Sequence, residues 1–216
     1  MQRKSARRGI FIAIEGPDGA GKSTQAVLLA RRLAREAGLK VTSVREPGGT
    51  PTGEAVRELL LHREHPVDSW AEALLYAAAR AQLVADVIRP SLAAGQIVIC
   101  DRYLDSSLAY QGHARGLGID RVRDLNLWAT GGLLPDLTVL VELSPEVAAT
   151  RAGGLTPDRI EREGLELQRR VAEGYALLAA AEPRRFVVID GSAPVVEVAS
   201  AIQERVLEAL EVTCVR

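Results

Sequence analysis

Ile10-Phe11-Ile12-Ala13-Ile14-Glu15-Gly16-Pro17-Asp18-Gly19-Ala20-Gly21-Lys22-Ser23-Thr24 is the stretch from which the fold is read. It opens on apolar residues that do not alternate with polar ones, the pattern of a parallel strand covered on both faces. It closes on Gly16-x4-Gly21-Lys22-Ser23, after which helical periodicity runs from Lys22 to Ala37. Strand, glycine-rich turn and helix in that order make an anion cradle. The turn aims successive backbone N–H groups at one point, and the helix N-terminus adds the positive end of its dipole. A lysine closing such a loop reaches the β- and γ-phosphates of a nucleoside triphosphate, and the hydroxyl beside it is placed to ligate Mg²⁺. Gly16, Pro17, Asp18, Gly19, Ala20, Gly21, Lys22, Ser23 and Thr24 are therefore the candidate triphosphate-binding residues, with Lys22 also catalytic and Ser23 a metal ligand.

Working outward, four more runs of strand length appear at Lys40–Val44, Gln96–Cys100, Leu137–Val141 and Phe186–Ile189. Helical periodicity fills the intervals, over Pro51–His62, Asp68–Ala94, Asp120–Thr130, Asp158–Ala181 and Val195–Leu210. This alternation predicts an α/β chain of three layers, a P-loop fold with a central five-stranded parallel sheet flanked by helices. The 216 residues suffice for one domain, expected over 10–212 after a basic tail at 1–9. Hydrophobic residues at 47% and charged residues at 25% exclude disordered, collagen-like and disulfide-scaffold chains. Lys and Arg number 27 against 28 Asp and Glu, so the overall basic field that a nucleic-acid polymer partner calls for is absent. The apolar run after the basic Gln2–Arg8 is only Ile10–Ile14, too short to cross a membrane. Two cysteines, Cys100 and Cys214, fit reduced thiols in the cytoplasm. His62, His65 and His113 are scattered and make no metal set. The Gly/Pro-rich piece at 152–157 predicts a lid or flap around 150–162.

No guanine-specificity motif follows the loop, and the chain is short for a motor ATPase, which leaves phosphoryl transfer to a small acceptor. Asp101-Arg102-Tyr103 follows the third strand, where the ligand crevice of a parallel sheet lies. An Asp there can hold Mg²⁺, and a planar guanidinium clamps a phosphate. Tyr76 and Arg80, four residues apart, share a helix face and suit a flat base: the ring stacks and the guanidinium donates. Ser106 with Tyr110 and Ser107 with Gln111 repeat that spacing.

Together these segments resemble the thymidylate kinase family over nearly the whole chain, from Ile10 to about Leu210. The resemblance rests on the loop, on Arg45-Glu46-Pro47-Gly48-Gly49-Thr50, on Tyr76-Ala77-Ala78-Ala79-Arg80-Ala81-Gln82 and on Asp101-Arg102-Tyr103. It continues in Ser106-Ser107-Leu108-Ala109-Tyr110-Gln111-Gly112, Pro135-Asp136-Leu137 and Asp158-Arg159-Ile160-Glu161. The resemblance implies transfer of the γ-phosphoryl of ATP to dTMP with Mg²⁺ held through Ser23 and Asp101, and a homodimer. It implies that Asp18 receives the sugar 3′-hydroxyl, Tyr76 stacks on thymine and Arg80 donates to thymine O4. Ser106, Ser107 and Gln111 fall near the base, Tyr110 crowds the 2′ position, Arg57 and Arg102 meet the acceptor phosphate, and Pro47 lies beneath the nucleotide. Members of the family usually carry an arginine in the phosphate loop or an arginine-rich flap. Here position 19 is glycine, and the flap offers Arg151, with Arg159 and Arg162 beyond it. Arg151 and Arg159 are the expected partners of the transferring phosphoryl. Two alternatives stay open at this point: a catalytically weak nucleotide-binding paralogue, and a kinase for another pyrimidine nucleoside monophosphate.

Overall fold

Residues 8–36, 38–62, 65–152 and 159–214 are described by the structure, a computed structural model. Strand β1 (Ile10–Glu15) sends Phe11 and Ala13 into one core and Ile12 and Ile14 into another, which requires layers on both sides of it. With β2 (Val41–Arg45), β3 (Ile97–Asp101), β4 (Leu137–Glu142) and β5 (Phe186–Asp190) it forms the expected five-stranded sheet, ordered β2-β3-β1-β4-β5. All four pairings are parallel. The register sets Asp101 beside Ile14 on one side and beside Arg45 on the other. The carboxyl ends of three neighbouring strands therefore open into one crevice, at the place where ligands bind in open parallel sheets.

The helices are α1 (Lys22–Glu36), α2 (Pro51–Arg57), α3 (Ser69–Leu83), α4 (Arg89–Ala93), α5 (Leu104–Ser107), α6 (Ile119–Thr130), α7 (Pro145–Ala152), α8 (Leu165–Ala181) and α9 (Val195–Cys214). Helices α1 and α9 cover one face of the sheet through Leu29, Leu33, Val198, Ile202 and Val206. The other face is covered by α3, α4, α5, α6 and α8 through residues such as Leu83, Leu92, Leu104, Val122 and Leu178. Local signals start two helices that carry expected site residues. Thr50 caps α2 by accepting from Gly53 N at 3.0 Å, with Pro51 at the first helical position, and Asp68 caps α3 by accepting from Trp70 N at 2.9 Å.

Three stretches differ from simple helical periodicity. The pattern over Pro51–His62 is α-helical to Arg57 and then widens to a π turn over Glu58–His62. The pattern over Asp68–Ala94 widens likewise over Val84–Ile88 before α4. Pro90 has no N–H to give and its ring crowds the preceding turn, so a wider turn ahead of it relieves the clash. Between β3 and α6, α5 passes into a third π segment, Leu108–Ala114, closed by Arg115 N to Tyr110 O at 2.8 Å. Helix α8 begins at Leu165 rather than at 158, because Gly164, at φ 88°, breaks the chain direction after a short 3-10 turn at Glu161–Glu163. The tail expected at 1–9 falls on residues outside the described ones as far as residue 7, and the expected lid does so over 153–158.

Candidate active site

Between β1 and α1 the loop Gly16–Ser23 curls around the floor of a cleft of about 650 Å³. Lys22 is only 6% exposed, and its Nζ donates to Pro17 O at 2.6 Å with Asp18 at 3.9 Å. Burial lowers the Lys22 ammonium to about 8, helped by the positive Arg102 and opposed by Asp18, Asp101 and Glu15. Ser23 Oγ donates to Asp101 Oδ2 at 2.5 Å, which joins the start of α1 to the end of β3. Among the described residues no group of three or more His, Cys, Asp or Glu side chains could hold a metal. A hydroxyl beside one carboxylate, with room for phosphate oxygens and water, is the hard-oxygen set that suits Mg²⁺.

Gly19 explains why this loop carries no arginine. Its φ is +81°, and a Cβ there would stand 2.4 Å from the carbonyl oxygen of Ala148 in α7. Helix α7 thus occupies the space a loop side chain would need. One turn on, Arg151 lines the cleft, its Nη1 donating to Gly191 O at 2.7 Å and its Nη2 to Ser192 O at 2.9 Å.

The middle of the cleft is organised by Arg102, a non-glycine residue at φ 68°. Nη1 donates to Gly16 O at 3.1 Å, Ser106 Oγ at 3.0 Å and Tyr175 OH at 3.2 Å. Nη2 donates to Asp18 and to Tyr110 OH at 3.3 Å, while the guanidinium lies 5.2 Å from the Tyr110 ring centre. Tyr110 OH donates to Asp18 Oδ2 at 2.8 Å. Burial alone would raise the Asp18 carboxyl, but Arg102, Lys22 and the Tyr110 hydroxyl outweigh it and hold it at about 2. Asp18 is therefore an ionised acceptor, and Tyr110, which burial pushes well above its usual range, is a neutral donor. Behind them the fully buried Glu15 accepts from Tyr103 N at 2.7 Å, Ser106 Oγ at 2.6 Å and Tyr175 OH at 2.8 Å. Ser106 lines the cleft, yet its hydroxyl is committed to Glu15 and Arg102.

At the far end lie Tyr76, Arg57, Pro47, Arg80, Ser107 and Gln111. Arg57 Nη1 donates to Pro47 O at 3.1 Å, beyond a cis Glu46–Pro47 bond. Arg80 is 1% exposed and its guanidinium nitrogens are all engaged. Nε and Nη2 meet Glu46 Oε2 at 2.7 Å, Nη1 meets Ser107 Oγ at 3.0 Å and Asn126, and Nη2 also meets Tyr103 O at 3.1 Å. Burial pushes Glu46 up to about 7 against the pull of Arg80, and its Oε1 has no hydrogen-bond partner among the described residues. Gln111 Nε2 donates to the buried Glu72 Oε1 at 2.9 Å.

The expected loop and acceptor residues line one cleft except Gly16, Pro17 and Ala20 of the loop, and Arg159, which are not among its lining residues. Arg159 Nε donates to Leu60 O at 2.7 Å and Nη2 pairs with Glu72. The sequence reading missed Glu15, Glu46, Glu72, Asn126 and Tyr175 as organisers, and Arg45 as a lining residue. Glu15 and Glu46 stand inside quoted motifs and could have been singled out as carboxylates in otherwise apolar or turn-forming surroundings. Asn126 and Tyr175 sit on distant helices with no pattern to mark them.

A family model described as thymidylate kinase matches residues 14–202. A thymidylate kinase of Synechococcus sp. (strain JA-3-3Ab) is 54% identical over 193 residues, covering 89% of this chain and 93% of the relative. That of Deinococcus radiodurans is 50% identical over 202 residues, covering 93% and 98%. Among solved structures, the crystal structure of thymidylate kinase from Ehrlichia chaffeensis superposes with a TM-score of 0.76 at 32% identity, covering 94% of this chain and 99% of the other.

Proposed function

The chain belongs to the thymidylate kinase family, and on that premise we propose how its cleft moves a phosphoryl group from ATP to dTMP, giving dTDP and ADP. The observation that carries the reading is a single continuous cleft in which the Lys22–Ser23 loop faces the Arg102–Asp18–Tyr110 cluster, with Tyr76 and Gln111 at the far end. ATP lies along the loop with Lys22 on its outer phosphates. The dTMP sugar lies over Asp18 and Tyr110: the ionised Asp18 accepts from the 3′-hydroxyl, and the Tyr110 ring leaves little room for a 2′-hydroxyl. Arg102 and Arg57 hold the acceptor phosphate. Its attacking oxygen is already anionic, so positioning and neutralisation of charge suffice and no general base is required. Ser23 and Asp101 would hold Mg²⁺, which when bound neutralises charge on the phosphates.

A coupled assay with ATP and dTMP, dUMP, UMP and dCMP at equal concentration tests this. ADP should form fastest with dTMP, chelation should abolish turnover and Mg²⁺ restore it. No ADP above background with dTMP would overturn the reading. The depressed Lys22 gives a pH signature. Only the protonated ammonium holds the triphosphate, so kcat/KM for ATP should fall about tenfold per pH unit above about 8. The same limb in kcat should lie at higher pH, because bound phosphates hold the proton on Lys22. A flat kcat/KM profile to pH 9.5 would contradict it.

Arg151, fixed at the rim of the cleft, is the better placed lid-side charge. Arg159 could serve only by exchanging its Glu72 and Leu60 contacts. Arg151→Ala is expected to lower kcat by about 10²-fold with a smaller rise in KM. Turnover within about twofold of the parent in both Arg151→Ala and Arg159→Ala would sink the lid-arginine assignment.

A homodimer is supported by α3 and α6, which pack together and leave Leu74 at 54% and Trp128 at 88% exposed. Sedimentation should give twice the chain mass, and Trp128→Arg should halve it. No helix of the described residues is long and apolar enough to cross a membrane, and a cytoplasmic setting would supply both nucleotides.

A further inference from the structure

Glu72 is not among the cleft's lining residues and is fully buried on α3, yet it accepts four hydrogen bonds from three residues. Oε1 accepts from Gln111 Nε2 at 2.9 Å and Arg115 Nε at 3.1 Å, and Oε2 from Arg115 Nη2 at 3.1 Å and from Arg159. Burial by itself would raise this carboxyl, but those hydrogen bonds from Arg115, Arg159 and Gln111 hold it below the usual range. An ionised carboxylate has no proton to offer. Facing it, the Gln111 amide must present nitrogen, and the end of the amide left for the cleft it lines is the carbonyl oxygen, an acceptor.

Resting on the thymidylate reading above, we propose that Glu72 is a positioning residue for pyrimidine selection. It fixes the sense of the Gln111 amide, so that the carbonyl accepts from N3–H of thymine and opposes the lone pair at N3 of cytosine. Two acceptors set against each other leave a buried polar atom unpaired, the costly case in recognition. An amide at position 72 could face Gln111 with either end and would release that constraint.

The test is the ratio of kcat/KM for dTMP to that for dCMP, measured in Glu72→Gln, Glu72→Asp, Gln111→Met and the Glu72→Gln/Gln111→Met double variant. Glu72→Gln should lower the ratio at least about tenfold, while Glu72→Asp, still a pure acceptor, should keep it within about threefold even if it melts earlier. In the Gln111→Met background Glu72→Gln should change the ratio by less than about twofold, because the path to the base is already cut. A parental ratio in folded Glu72→Gln, or an equal loss in both backgrounds, would falsify the proposal. Should Glu72→Gln fail to fold, side-chain amide NMR of the parent decides. The Gln111 Nε2 protons should hold their shifts when dTMP binds, and a large shift would show the nitrogen turned to the base. A parent inactive on dTMP overturns the functional reading itself, a result separate from these.

Discussion

Replacing Arg102 by lysine is expected to lower kcat with dTMP by about 10²–10³-fold. The guanidinium spans the cleft, joining Gly16 O, Ser106 and Tyr175 on one side to Asp18 and Tyr110 on the other. A lysine keeps the charge but places it at one point, so it cannot bridge the loop and the acceptor side together. Both side chains suffer equally at the left-handed backbone of position 102, φ 68°, so the exchange isolates the side chain from the backbone. Asp18 loses its strongest partner as well, and its carboxyl should rise from about 2. Steady-state kinetics at saturating ATP measure the effect. A kcat within about fivefold of the parent would remove Arg102 from the reacting centre.

The second large effect is on stability. Asp105, fully buried at the start of the segment that carries Ser106, Tyr110 and Gln111, meets Arg185 through two bonds, Nη1 to Oδ2 at 2.6 Å and Nη2 to Oδ1 at 2.8 Å. Thr138 Oγ1 adds a donor at 3.1 Å, and Arg185 is held in turn by Glu182 at 2.7 Å and by the Phe186 ring at 4.6 Å. Arg185→Met leaves the Asp105 carboxylate buried with Thr138 for company, and unfolding in urea should show a loss of about 3–5 kcal/mol. Replacing both partners, Asp105→Leu with Arg185→Met, should recover most of that loss, because no lone charge is then buried. A single Arg185→Met variant within about 1 kcal/mol of the parent would show that the pair carries no such weight.

The distribution of what was legible follows from the range of each signal. Strand β1, the phosphate loop and α1 are contiguous, so their periodicity and turn chemistry identify them without knowledge of anything else. The five strands and their parallel arrangement were likewise readable, since continuous apolar runs separated by helices admit few other arrangements. Helix interiors were less so. The π turns at Glu58–His62, Val84–Ile88 and Leu108–Ala114 do not announce themselves, because an i to i+4 apolar spacing is compatible with either turn. The start of α8 at Leu165 depended on the conformation of Gly164, which composition alone does not specify.

By itself the sequence determined the chemistry on offer: which loop cradles phosphate, which strands build the sheet, and which arginines, tyrosines and carboxylates are available to a small nucleotide. Only the tertiary structure decided how those groups are spent. Arg80 reads as a base donor in the sequence, and Glu46, Ser107 and Asn126, brought from three other segments, fix where its guanidinium lies. Gln111 reads as one polar residue among several, yet Glu72, 39 positions away, sets which end of its amide faces the cleft. Position 19 reads as a missing arginine, yet Ala148 fills the space where one would stand. Donors and acceptors are satisfied by neighbours in space, and those neighbours are fixed by strand register and helix packing.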